Sequence, residues 1–227
     1  MQYNTIRFAA CIGVFILIAI TISCSTAKQK ISFQAGINHG GIVENTDMSL
    51  VPGVSTLAEA TVDAFTGASQ TGFNAGIHIN KPIGKNEVET GVDYMFNHHT
   101  FNYIDNGNHF IGVRRIALSQ IIVPLTYNFF FNRDFDFQLK LGLAVQYNML
   151  NVNDVTVFKL PEYNIHRFSA GPTIGISAFP VKYANGNKLG VYFDMYRGSQ
   201  IYEDYYNQPG FKMPGSAYLK CGLKYQF

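Results

Sequence analysis

Residues 135–150 read FDFQLKLGLAVQYNML. Phe135, Phe137, Leu139, Leu141, Leu143, Val145 and Tyr147 alternate with Asp136, Gln138, Lys140, Gly142, Ala144, Gln146 and Asn148. A period of two belongs to a β-strand, because successive side chains leave opposite faces. The same alternation recurs over 31–38, 73–80, 87–96, 121–129, 168–178, 189–196 and 217–227, which predicts eight strands. Each is near the roughly 9–11 residues that cross a bilayer at a tilt. Pro124 interrupts one of them, and a proline gives the ladder no N–H, so a bulge is expected there.

The connections alternate in length. Residues 39–70, 97–112, 149–166 and 199–214 read as long links, whereas KPIGKN (81–86), FNRD (131–134) and KYANGN (182–187) read as short turns. Long links follow odd-numbered strands and short turns follow even-numbered ones. That asymmetry predicts an all-β, antiparallel, up-and-down transmembrane barrel of eight strands, with short periplasmic turns and long extracellular loops.

The sequence also indicates which face points inward. A soluble barrel of the lipocalin kind would line its interior with the large apolar side chains. Here those positions carry Tyr94, Tyr127, Tyr147 and Tyr225 near strand ends, which fits the aromatic girdles of a membrane barrel. The opposite face is small and polar, as suits an eight-stranded interior just wide enough to be filled by side chains. It carries Glu89, Asp93, Lys140, Asp194, Lys220 and Lys224. Unpaired buried charges are costly, so these six are expected to form a network. Asp194 is expected to neighbour Lys220 and Lys224, with Glu89 and Asp93 reaching Lys140. Such a network can serve as a salt-bridged plug, or as a gate or proton path.

The two ends add export and assembly signals. Arg7, the apolar run 8–22 and the small residues Ser25–Ala27 resemble a signal peptide, which puts the boundary at 1–27 and the barrel domain at 28–227. TISC, ending at Cys24, loosely resembles a lipobox and makes Cys24 a candidate for lipidation, although Thr21 stands where that motif usually has Leu. Cleavage after residue 27 leaves Cys221 as the only cysteine, so no internal disulfide is expected. At the other end the final strand closes on Tyr225 and Phe227, a terminal aromatic of the kind that barrel-assembly machinery reads.

Composition narrows the function classes. A formal net charge of +2 without a charge run argues against nucleic acid as a partner. No cofactor motif is present, and no enzymatic activity is expected. His98, His99, Ser119, His166, Ser199 and Glu203 are the raw material for a rim enzyme acting on lipid A, but no motif joins them. His98, His99 and His109 are loop histidines rather than an expected metal site, since adjacent residues of a strand face opposite ways. A narrow transport channel is a further alternative.

In these features the chain resembles the PorT-like and OmpX/OmpA-like small outer-membrane barrels. The carrying segments are IIVPLTYNFFF (121–131), FDMYRGSQI (193–201) and the terminal YQF. The resemblance implies an integral outer-membrane protein of Gram-negative bacteria, in contact with outer-membrane lipids and lipopolysaccharide. It also implies a role in adhesion, envelope integrity or, as for PorT, a secretion complex. The Tyr-rich 199–214 segment is a candidate surface for an extracellular partner.

Overall fold

A computed structural model describes residues 29–43, 61–62, 71–104, 110–132, 136–155, 165–200 and 215–227. The expected signal peptide, Cys24, His109, Glu203 and most of the long links lie outside these residues.

The described chain is strand throughout: β1 (Lys30–Val43), β2 (Thr61–Val62), β3 (Thr71–Ile83), β4 (Asn86–Ile104), β5 (Phe110–Asn132), β6 (Phe137–Val155), β7 (Phe168–Lys182), β8 (Lys188–Gln200) and β9 (Gly215–Gln226). Sheet order runs β4-β3-β1-β9-β8-β7-β6-β5, and β5 returns to β4. These eight strands close an all-antiparallel barrel. The two-residue β2 lies outside the ring, paired with Tyr103 and Ile104 of β4. Closure matters energetically because it leaves no edge strand with unpaired backbone groups. The first and last strands meet at the seam, where Ser32 of β1 pairs with Gln226 of β9 and the Phe227 amide donates to the Ile31 carbonyl at 2.9 Å.

Among the described residues at the short turns, Gly84 at 62°, Asp136 at 44° and Gly186 at 89° have positive φ. In the first, Ile83 pairs with Asn86 across a two-residue loop. Positive φ at its first central residue is the backbone that matches strand twist, and glycine adopts it without a Cβ clash.

Two expectations are corrected. Residues 39–43, 61–62, 97–104, 110–112, 149–155 and 199–200, read as link, are strand. β4, β5 and β6 therefore run well past the ends of β3 and β7. The Asn and His content of 97–104 and the Asn and Asp content of 149–155 hid them, since the alternation there lacks a clean apolar face. The second correction concerns Pro124. It pairs in register with Ala144, and the β4–β5 register is the same on both sides of it, so no bulge forms there. Pairing between β4 and β5 lapses locally between Thr90/Leu125 and Asp93/Ile122 instead. Thr90 Oγ1 donates to the Pro124 carbonyl at 2.8 Å, tying the strands beside the missing amide. The register shifts of the β5–β6 pair fall elsewhere, at Ala117/Leu118 and Phe130/Asn132.

Candidate functional site

Parity along the strands separates two chemistries. Odd positions of β6 turn outward and even ones inward. Leu141 and Leu143 are exposed, whereas Gln138, Lys140 and Gln146 are buried. The alternation holds around the ring, with even positions outward on β4 and β7. Ile31, Phe33, Ile37, Ile77, Val92, Ile174, Val191, Phe193 and Leu223 are all exposed, while Ser32, Gln34, Asn74, Asn128, Ser177, Lys220 and Lys224 are buried. This barrel is apolar outside and polar inside, the reverse of a water-soluble one.

Aromatic side chains edge the outer band at both ends. Phe73, Tyr94 and Phe96 cluster with centroids 5.6–6.0 Å apart, and Tyr147 lies 5.0 Å from Phe168. At the short-turn end Tyr127 lies 4.7 Å from Phe129, and Phe33, Tyr225 and Phe227 form two edge-on contacts at 5.6 and 4.8 Å. Tyr hydroxyls at both levels are hydrogen-bonded, Tyr94 with Ser119 at 2.9 Å and Tyr127 from Asn86 at 2.9 Å. Between Phe137 and Tyr147 the strand rises about 33 Å, or about 25 Å along the barrel axis at a tilt near 40°.

Inside, the six charged residues singled out in the sequence lie close together. Asp93 receives Lys220 at 2.6 Å, Glu89 receives Lys224 at 2.6 Å, and Lys140 sits 2.7 Å from Asp194. Longer contacts join Lys140 to Glu89 at 3.8 Å and Lys220 to Asp194 at 3.9 Å. Asp194 thus finds its near cation in Lys140, and Lys224 goes to Glu89. The pairs cross the lumen, because β3 and β1 separate β4 from β9 in the sheet. All six are buried. Amide groups complete the carboxylates: Gln34 Nε2 donates to Asp93 at 2.8 Å, and Asn80 and Asn128 donate to Glu89 at 3.0 and 2.8 Å. A fully bonded carboxylate avoids the penalty of a buried unpaired charge.

The residue that sequence reasoning missed is His78. Its Nδ1 lies 2.7 Å from Glu89 and its Nε2 2.9 Å from Asp93. Both ring nitrogens face carboxylate oxygens, so both bonds form only when each nitrogen carries a proton. The register explains the position. His78 pairs with Gly91, whose same-face neighbours two residues away are Glu89 and Asp93. A Cβ on Gly91 would stand 2.8 Å from His78 Cγ, so the glycine makes room for the ring. The same device seats two acids. A Cβ at Gly76 would lie 1.9 Å from Asp93 Oδ1, and one at Gly175 2.1 Å from Asp194 Oδ1. Glycine-opposite-charge is the signal that a paired sequence reading could have used.

Two further ion-pair groups lie at the short-turn end. Lys30 bonds Glu87 at 2.7 Å, and Asp136 receives Lys188 and, at 3.6 Å, Lys182. Phe179 is fully buried near that end.

Solved structures resemble this chain, among them the outer membrane protein OprG from Pseudomonas aeruginosa, known from a crystal structure. OprG is 14% identical to this chain, with a TM-score of 0.47 over 88% of this chain and 97% of OprG. No protein-family model and no curated protein matches the chain.

Among the described residues, the rim residues considered for catalysis do not converge. Ser119 Oγ accepts from Asn151 at 2.6 Å and contacts the Tyr94 hydroxyl, whereas Ser199 contacts Ser169 at 3.2 Å. His98 is exposed and edge-on to Phe96 at 4.7 Å, and His166 offers its backbone carbonyl to Asn148 at 2.8 Å. The His99 side chain lies outside what is described. Among the described residues no group of three His, Cys, Asp or Glu side chains could hold a metal ion.

Proposed function

We propose that the protein is an integral outer-membrane β-barrel, non-enzymatic and closed to steady flow, which acts through the surface its long-loop end presents. One observation carries the reading: the apolar band faces outward between two aromatic girdles, while charge and amide groups fill the lumen. Only a hydrocarbon surround makes that distribution favourable, since water would penalise the band and leave the lumen charges no advantage in burial. In this reading the short turns face the periplasm, and the extensions of β4–β6 and the long links face outward.

Lipid and lipopolysaccharide contact the band. The terminal Tyr225 and Phe227 serve assembly, with Phe227 half-exposed on the outer face against Phe33 and Tyr225. Resemblance to PorT-like and OmpX-like barrels supports an adhesive, envelope or secretion-associated role for the outer end. The lumen charges are mutually paired, which favours a structural plug over a catalytic or transport site.

Membrane fractionation and gel migration test the placement. A folded barrel extracted from membranes migrates differently before and after boiling. Identical migration in both conditions, or recovery in the soluble fraction, refutes the reading. Shortening 201–214 and measuring binding of cells to a host or partner surface tests the outer role; unchanged binding removes that segment from it.

A further inference from the structure

The lumen has three tiers, visible strand by strand. On β4 the inward residues run Asp93, Met95, Asn97. On β5 they run Thr126, Pro124, Ile122, Gln120, and on β6 Lys140, Gly142, Ala144, Gln146. β9 runs Lys220, Tyr218, Ser216, and on β8 Tyr196 follows Asp194. On each of these five strands an apolar or aromatic side chain separates the charged tier from the long-loop end. Those five residues touch one another and are at most 4% exposed. Tyr196 and Tyr218 stack with centroids 4.8 Å apart and planes 19° from parallel.

The tiers on either side are polar and internally bonded. Toward the loops, Asn97 donates to Gln120 at 3.2 Å, Gln120 donates to Asn148 at 2.8 Å, and Gln146 contacts Ser216 at 3.4 Å. Toward the turns lies the ion-pair cage, with Lys220 Nζ 5.9 Å from the Tyr218 ring. A void of about 10 Å³ separates cage from middle tier, lined by Lys140, Asp194 and Lys220 below and by Ile122, Ala144 and Tyr218 above.

We propose that the middle tier of Met95, Ile122, Ala144, Tyr196 and Tyr218 is the permeability barrier of this barrel, and that the ion-pair cage is not. This rests on the membrane-spanning reading above. The physical reason is the exchange available to a passing ion. In the cage and in the amide tier, a water or ion lost from the hydration shell is replaced by carboxylate, ammonium or amide groups. The middle tier offers only the Tyr196 and Tyr218 hydroxyls, of which that of Tyr196 is already bonded to Ser169 at 3.2 Å, and a largely apolar constriction of this kind blocks by excluding water. The cage holds the wall in shape by tying β4 to β9 and β6 to β8; the middle tier stops the flow.

Planar-bilayer recording on the full chain separates the two. Tyr196→Ala with Tyr218→Ala removes the stacked pair and is expected to give stepwise currents absent from the wild type. Asp93→Asn with Lys220→Met opens the cage at one pair and is expected to stay silent. Met95→Ala with Ile122→Ala widens the opposite side of the same tier and is expected to conduct as well, should the tyrosine pair prove necessary for folding. Each protein is first shown to keep its boiling-dependent migration shift. Loss of that shift in the wild type would overturn the membrane reading itself. With the shift intact, silent tier variants, a conducting cage variant or a steadily conducting wild type would each overturn the barrier assignment.

Discussion

Leu143→Arg places a charge on the outer wall one residue from the midpoint of the Phe137–Tyr147 band. Leu143 is 60% exposed, so the substitution breaks no internal packing worth a core residue. In water such a change moves stability by at most about 0.5 kcal/mol. At the midplane of a bilayer it costs about 2–4 kcal/mol, a loss of roughly 30- to 1000-fold in the folding equilibrium, and the cost falls to about 0–1 kcal/mol near the interfaces. Phe168→Arg, in the girdle 5.0 Å from Tyr147, supplies the shallow comparison. Reversible guanidinium unfolding in phospholipid vesicles, followed by circular dichroism, measures both. The expected order is a large loss at Leu143 and a small one at Phe168. Equal small losses at both depths would mean that the band does not lie in hydrocarbon, and the orientation argument would fail.

The ion-pair cage predicts strong coupling. Asp93→Asn leaves Lys220 buried without its 2.6 Å partner and is expected to cost about 3–5 kcal/mol, with the double change to Asn and Met costing less than the two single changes together. Additivity within about 0.5 kcal/mol in a double-mutant cycle would show the pair to be uncoupled. Gly91→Ala drives a methyl to 2.3 Å from the Ile77 carbonyl and against the His78 ring, at an expected cost of about 1–3 kcal/mol by the same unfolding measurement. An unchanged midpoint would show that the ring does not need that space. Deleting Phe227 is expected to lower the amount of assembled barrel in cells several-fold while leaving refolding from denaturant into detergent nearly intact. Equal losses in both settings would make the residue a packing element rather than an assembly signal.

Period-two alternation is a local property, so the sequence determined which side chains share a wall face. It placed Leu139, Leu141, Leu143 and Val145 on one side and Gln138, Lys140 and Gln146 on the other without knowledge of any partner strand. It also marked the short turns, because a turn of few residues needs a backbone that Gly84 and Gly186 adopt easily. Strand length was less legible. β4 and β5 continue to Ile104 and from Phe110 through polar residues whose pairing comes from each other, not from an apolar face. Pro124 suggested a bulge, yet the β5–β6 ladder runs through it and the β4–β5 ladder resumes in the same register beyond it, so one missing donor shifts neither partner.

What only the tertiary structure decided is who meets whom across the lumen. Asp93 and Lys220 stand 127 residues apart and Glu89 and Lys224 135 apart, and closure with strand tilt brings each pair to contact. His78 acquires its place between two carboxylates from the β3–β4 register and from the missing side chain of Gly91. The apolar tier depends on the same cause. Met95, Ile122, Ala144, Tyr196 and Tyr218 come from five strands, and become one layer only when the cylinder closes.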